Sequence, residues 1–172
     1  PPCDRHRLVF LAFAEPGEGG AGTAVARGQL GERGLENTQV IWREQPKVSG
    51  SNHWGSRIVF RPDGMLFVTM GERFNYSEKA QDLSTTLAKV VRINPDGSAP
   101  RDNPFVNHAG ARPEIWSYGH RNVQAAALHS ANGQLWTVEH GARGGDELNH
   151  PEAGKNYGWP VISYGVHYSY LR

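Results

Sequence analysis

His120, Arg121 and Asn122 are consecutive in the stretch SYGHRNVQ, with Trp116 and Tyr118 just ahead of them. A guanidinium beside a carboxamide presents planar donors, the arrangement that grips carbonyl or carboxylate oxygens of a polar, electron-accepting ligand. The competing reading pairs Arg121 with a carboxylate such as Glu114 and makes it structural; His120 is either a packing residue or a ligand, with packing the expected role. A second candidate is His53 in VSGSNHWGSRIVF, which follows a polar approach and precedes an apolar run. Its ring is expected at a sheet edge, either as a functional group or as a hydrogen-bonded loop histidine. The third cluster is EHGARGGDELNHPEAGKNYGWP, residues 139 to 160. Asp146 and Glu147 follow a run of glycines, and hard cations such as calcium take carbonyl and carboxylate oxygens together. The alternative is a solvated acidic turn, because the spacing is not that of an EF-hand. Tyr157 and Trp159 are expected to pack beneath the turn GKNYGWP. Glycine fingerprints of nucleotide sites are absent in strand-to-helix context, and no Ser/His/Asp or Cys/His nucleophile arrangement stands out.

These groups need a rigid frame, and the chain between them reads as β-structure. RLVFLAFAE (7 to 15), TAVARGQL (23 to 30) and NTQVIWREQ (37 to 45) are strand-like and separated by the glycine-rich EPGEGGAG and GERGLE. Residues 56 to 73 and 123 to 143 share a pattern of apolar strand, Asp-Gly or Asn-Gly, and second apolar strand. Asp63-Gly64 and Asn132-Gly133 predict two-residue hairpin turns, because both central positions tolerate positive φ. Another strand and PDG turn lie in KVVRINPDGSAP, and only SEKAQDLSTTLAK (77 to 89) reads as a helical turn or loop. Recurring hairpins without intervening helices predict an all-β fold of four-stranded sheets repeated radially, a β-propeller. At about 50 residues per blade the chain holds roughly three blades, and a closed ring needs at least four.

Composition narrows the function classes. The 172 residues carry 18 Lys plus Arg against 17 Asp plus Glu, so there is no basic field of the kind that recruits nucleic acid or an anionic membrane. The 21 glycines and 11 prolines suit short elements and tight turns. The longest apolar runs, such as LVFLAFA, are far too short to span a bilayer as a helix. The single Cys3 makes no internal disulfide. The opening PPCDRHR and the closing HYSYLR suggest a chain cut at both ends, a single domain-sized fragment over 1 to 172.

Taken together, NHWGSRIVFRPDGMLFVTMGER, AQDLSTTLAKVVRINPDGSAPRDNPF, PEIWSYGHRNVQ and EHGARGGDELNHPEAGKNYGWPVISYG closely resemble, in order and spacing, the soluble aldose sugar dehydrogenases of the glucose/sorbosone dehydrogenase family, which use pyrroloquinoline quinone (PQQ). The resemblance implies an internal piece, about three blades, of a six-bladed β-propeller in the periplasm or outside the cell. It implies oxidation of the anomeric hydroxyl of an aldose to a lactone, with electrons passed to an external acceptor. By the same resemblance, His53 is the base that takes the hydroxyl proton while hydride passes to a PQQ carbonyl. Arg121 and Asn122 contact the cofactor. Gly141 and Ala142 hold the catalytic calcium through backbone carbonyls, and Glu147 with Tyr157, the latter through its backbone oxygen, resembles a further calcium site. Ala142 and Val123 stand where the family usually has proline, and Trp54 where it has phenylalanine; none removes a functional group. The other classes left open are a calcium-dependent propeller lactonase and a propeller-derived binding piece without chemistry.

Overall fold

The computed structural model describes residues 8 to 168; Cys3 lies outside them. Ten strands form three antiparallel sheets. Sheet one is β1 (Leu8–Gly17), β2 (Gly20–Gly31) and β3 (Gly34–Arg43). Sheet two is β4 (Gly55–Phe60), β5 (Leu66–Met70), β6 (Val90–Ile93) and β7 (Ile115–Ser117). Sheet three is β8 (Val123–Leu128), β9 (Leu135–Glu139) and β10 (Glu147–Asn149). One short 3-10 turn spans Ser77–Ala80, inside the segment expected to be a turn. Among the described residues no helix is long and apolar enough to cross a membrane.

Alternation along β5 explains why the sheets stack. All five of its residues are buried, and successive side chains point to opposite faces. Leu66, Val68 and Met70 pack with Val91 and Ile93 of β6 against Val25 and Trp42 of sheet one. Phe67 packs with Val90 against Leu135, Ala126 and Leu128 of sheet three, and the Thr69 hydroxyl donates to the Val123 carbonyl at 3.2 Å. Sheet two therefore lies between its two neighbours, face to face, as three blades of a partial β-propeller.

The expectation of four-stranded sheets holds for sheet two. Sheets one and three have three strands each among the described residues; after β10 the chain folds as turns, punctuated by Pro151, Gly154, Gly158 and Pro160. The turn assignments need correction. Asp63-Gly64 and Asn132-Gly133 do not form two-residue hairpins: Arg61 pairs with Met65 around three residues, and His129 with Gln134 around four. In each, the Asp or Asn side chain accepts the N–H two residues on, at 3.1 and 3.0 Å, and the glycine takes positive φ. This local cap stabilises a longer loop. The two-residue turns are instead Glu18-Gly19 and Glu32-Arg33, and GEGGAG, expected as a loop, is largely strand.

Glu44, just beyond β3, is 1% exposed. Its Oε2 accepts the Thr23 N–H at 2.7 Å, while Oε1 is buried without a partner. Burial pushes its carboxyl up from 4.5 to about 7, against the opposing pull of Thr23 and Arg73. The folded state thus holds this proton more tightly than the unfolded chain. The contribution of this group to stability is greatest below pH 4.5 and falls as pH rises towards 7, by up to about 3 kcal/mol. Glu44→Gln is expected to remove that slope in denaturant titrations and to stabilise the fold at pH 8; an unchanged pH dependence contradicts the assignment.

Candidate active site at one rim of the sheets

The strand directions bring the start of β4, the end of β5, the start of β8 and the end of β9 to one rim, opposite the hairpin tips. There, β5 runs into the turn 71 to 75, which touches both polar clusters singled out above. Gly71 bridges Asn122, and a Cβ added at Gly71 would lie 2.1 Å from the His53 carbonyl oxygen and 3.0 Å from Asn122 Oδ1. Only a residue without a side chain lets these two segments close. Gly71→Ala is expected to destabilise the fold by about 1–3 kcal/mol through overpacking, read from denaturant melts; an unaltered midpoint contradicts this.

Glu72 joins the clusters. Its N–H donates to the Arg121 carbonyl at 2.9 Å, and its buried carboxylate meets His53 Nδ1 at 2.8 Å. The carboxylate accepts, so Nδ1 carries a proton, and in the neutral ring Nε2 is the nitrogen with the lone pair. Phe74 packs edge-on against the ring at 5.2 Å. His53 has φ of 54°, a left-handed conformation costing on the order of 1–3 kcal/mol in a side-chain-bearing residue. The expected position at a sheet edge is met: the residue lies two positions before β4, the edge strand of sheet two, and is partly buried.

Arg121 is 4% exposed. Its backbone N–H donates to Glu139 Oε1, and its Nη1 donates to the carbonyls of His140, at 3.0 Å, and Gly141. The alternative pairing with Glu114 is not found; Glu114 accepts from Trp42 Nε1 at 3.4 Å. Arg121 Nε is buried without a hydrogen-bond partner, as is Glu72 Oε2. His120, fully buried, packs as expected: it stacks on Tyr157 with centroids 4.7 Å apart. A Ser/His/acid row does exist, unseen in the sequence. Ser117 Oγ and Glu139 Oε2 each lie 2.8 Å from the His120 ring nitrogens. Ser117 is wholly buried, so the row fixes Arg121 rather than presenting a nucleophile. Asn122 accepts the His140 N–H through its carbonyl at 3.0 Å and the Gln124 amide through Oδ1 at 2.7 Å.

A pocket of about 390 Å³ opens at this rim, lined by Glu72, Phe74, Asn75, Arg121, Trp159 and Tyr168 with His167. Of the site residues expected from the sequence, Arg121 lines it directly and His53 adjoins it through Glu72, while Asn122, Gly141 and Ala142 are not in its lining. The Arg121 guanidinium lies 5.2 Å from the Trp159 ring and 5.9 Å from the Tyr168 ring. Aromatic walls with a partnerless guanidinium nitrogen fit a flat, anionic, oxygen-rich molecule. Adjoining it, Arg121, Gly141, Glu147 and Tyr157 line a crevice of about 10 Å³ with Glu139. Its oxygens suit a hard cation. Among those already engaged are Gly141 O, held by Arg121, and Glu147 Oε2, held by Asn149 at 2.9 Å; Ala142 O, outside the crevice lining, accepts from the Tyr168 hydroxyl at 3.0 Å. A carbonyl has two lone pairs, so the Gly141 and Ala142 oxygens each retain one. Asp146, exposed, accepts the Gly141 N–H at 2.9 Å; that N–H and then His140 hold its carboxyl below the ordinary range.

A family profile described as Glucose / Sorbosone dehydrogenase matches residues 1 to 172. The chain is 45% identical over 172 residues to aldose sugar dehydrogenase YliI of Escherichia coli (strain K12), covering 98% of this chain and 46% of that protein. A crystal structure of a glucose dehydrogenase superposes with a TM-score of 0.94 at 52% identity, over 98% of this chain and 49% of the other. The PQQ-bound aldose sugar dehydrogenase of Streptomyces coelicolor gives 0.79 at 30% identity, over 97% and 49%. The chain thus spans about half the length of these relatives. A match along its whole length, on a fold and rim that place the same motifs together, shows that the chain belongs to the glucose/sorbosone dehydrogenase family.

Proposed function

We propose that this chain supplies the base and the cofactor-facing guanidinium of a PQQ-dependent aldose dehydrogenase. The observation that carries the reading is the shared pocket: Glu72, which holds His53, and Arg121, with a partnerless Nε, wall the same space. When bound, PQQ supplies the two-electron acceptor and calcium the Lewis acid that polarises it. Phe74, Trp159 and Tyr168 give flat apolar contact, and Arg121 donates to cofactor oxygens where negative charge develops. His53 takes the anomeric hydroxyl proton on Nε2, and the Glu72 carboxylate steadies the imidazolium that forms. The Gly141 and Ala142 carbonyls hold the catalytic calcium; Glu147 and the Tyr157 backbone oxygen belong to a further calcium site. Asn122 sets the backbone beside Arg121 and contacts the cofactor. The aldose leaves as its lactone, and an external acceptor takes the electrons.

Supporting the cofactor choice are the PQQ-bound Streptomyces relative and the family membership. The test is dye reduction by the full-length protein with PQQ, calcium and an aldose. Aldose-dependent reduction that chelation abolishes is expected; lactone hydrolysis without aldose oxidation overturns the reading.

A further inference from the structure

We propose that Arg73 is a positioning residue that holds the loop on both sides of His53, through backbone carbonyls before it and the Trp54 ring after it; the inference rests on the reading of His53 as the base. Arg73 is a fully buried guanidinium, 0% exposed. Its three nitrogens donate to backbone carbonyls rather than to a carboxylate. Nε reaches Asn52 at 3.1 Å, Nη1 reaches Ala21 of β2 at 2.8 Å, and Nη2 reaches Gly50. The guanidinium also lies flat on Trp54, with Cζ 3.3 Å from the ring centroid. One cation thus binds the residue before His53, the residue after it and the loop's first glycine, and ties all three to sheet one.

Beyond Arg73 and Glu72, Thr23 Oγ1 of β2 donates to Trp54 O at 3.3 Å and Ser49 Oγ meets the Tyr76 hydroxyl at 2.8 Å; the other bonds of the loop are local. Trp54 Nε1 donates to Ser51 O at 2.8 Å, and Trp54 O accepts from Ser56 Oγ at 3.1 Å. Arg73 follows Glu72 directly. Backbone and ring of His53 are therefore held by adjacent residues of one turn: Arg73 fixes where the residue sits, and Glu72 fixes which nitrogen carries the proton. Such fixing is what a left-handed φ at His53 requires, because strained backbone persists only where its surroundings over-determine it. Lysine cannot replace this fork, since a single ammonium neither spans three carbonyls in fixed directions nor stacks as a plane.

The test labels the 172-residue chain with diethylpyrocarbonate and follows tryptic peptide 48 to 57, in which His53 is the only histidine. Arg73→Lys is expected to raise the labelling rate of His53 about tenfold by freeing the loop to open locally. Val91→Ala, in the core between sheets one and two, lowers global stability without touching this loop and is expected to leave the rate near wild type. Equal rates in wild type and Arg73→Lys, or equal increases in both variants, overturn the proposal. Should Arg73→Lys fail to fold, Trp54→Leu removes the stacking surface from the loop side. Faster labelling of His53 then supports the proposal, and an unchanged rate overturns it. No cofactor or sugar enters the measurement, so a failed dehydrogenase assay and a failed Arg73 assignment are separate results.

Discussion

Replacing His53 by alanine in the full-length, PQQ-loaded protein is expected to lower kcat by about 10²- to 10⁴-fold, the usual contribution of a positioned general base. The cause is specific to the ring. Glu72 accepts the Nδ1–H hydrogen bond at 2.8 Å, leaving Nε2 as the basic nitrogen, so the variant loses proton acceptance while Glu72, Arg73 and the strand that follows remain. Stability should change little, because alanine at position 53 leaves the carbonyl clamp of Arg73 in place. Rate is measured by dye reduction and folding by the denaturant midpoint. A variant that oxidises aldoses as fast as wild type shows that His53 is a loop histidine and nothing more.

Arg121→Ala is expected to slow turnover by about 10²- to 10³-fold, the cost of losing one donor aimed at developing negative charge. It should also weaken PQQ binding, which fluorescence titration reads without turnover. Two features make this residue costly to lose. Its Nε is buried without a partner, so part of its hydrogen-bonding capacity is free for a ligand. Its backbone is fixed independently of its side chain, through Glu139 and the carbonyl bond to Glu72, so truncation leaves the rim in place. Unchanged binding and rate contradict the role.

Much of this was legible in the sequence, for physical reasons. Apolar runs bounded by glycine mark the strands, and the unbroken run of β5 reflects burial on both faces. His53, Arg121 and Asn122 stand out because polar groups crowd beside strand ends. Glu72 and Arg73 do not, because GERF reads as a solvated loop and their partners lie 19 to 52 residues away. The single available hint was a pair of opposite charges directly after an apolar strand, with only Gly71 between. The Ser117, His120 and Glu139 row was hidden likewise, since its acid comes from another strand. The turns at Asp63 and Asn132 misled because those side chains cap loops longer than the two-residue turn that their glycines also allow.

In the proposed reaction hydride leaves C1 of an aldose as His53 takes the hydroxyl proton, with PQQ as acceptor. The most direct measurement compares dye reduction by the full-length protein, loaded with PQQ and calcium, on an aldose and on the same aldose deuterated at C1. PQQ-dependent turnover that deuteration slows at saturating dye is expected, with lactone formed in step with dye reduced. Turnover that needs no PQQ, or lactone consumed rather than formed, contradicts this reaction.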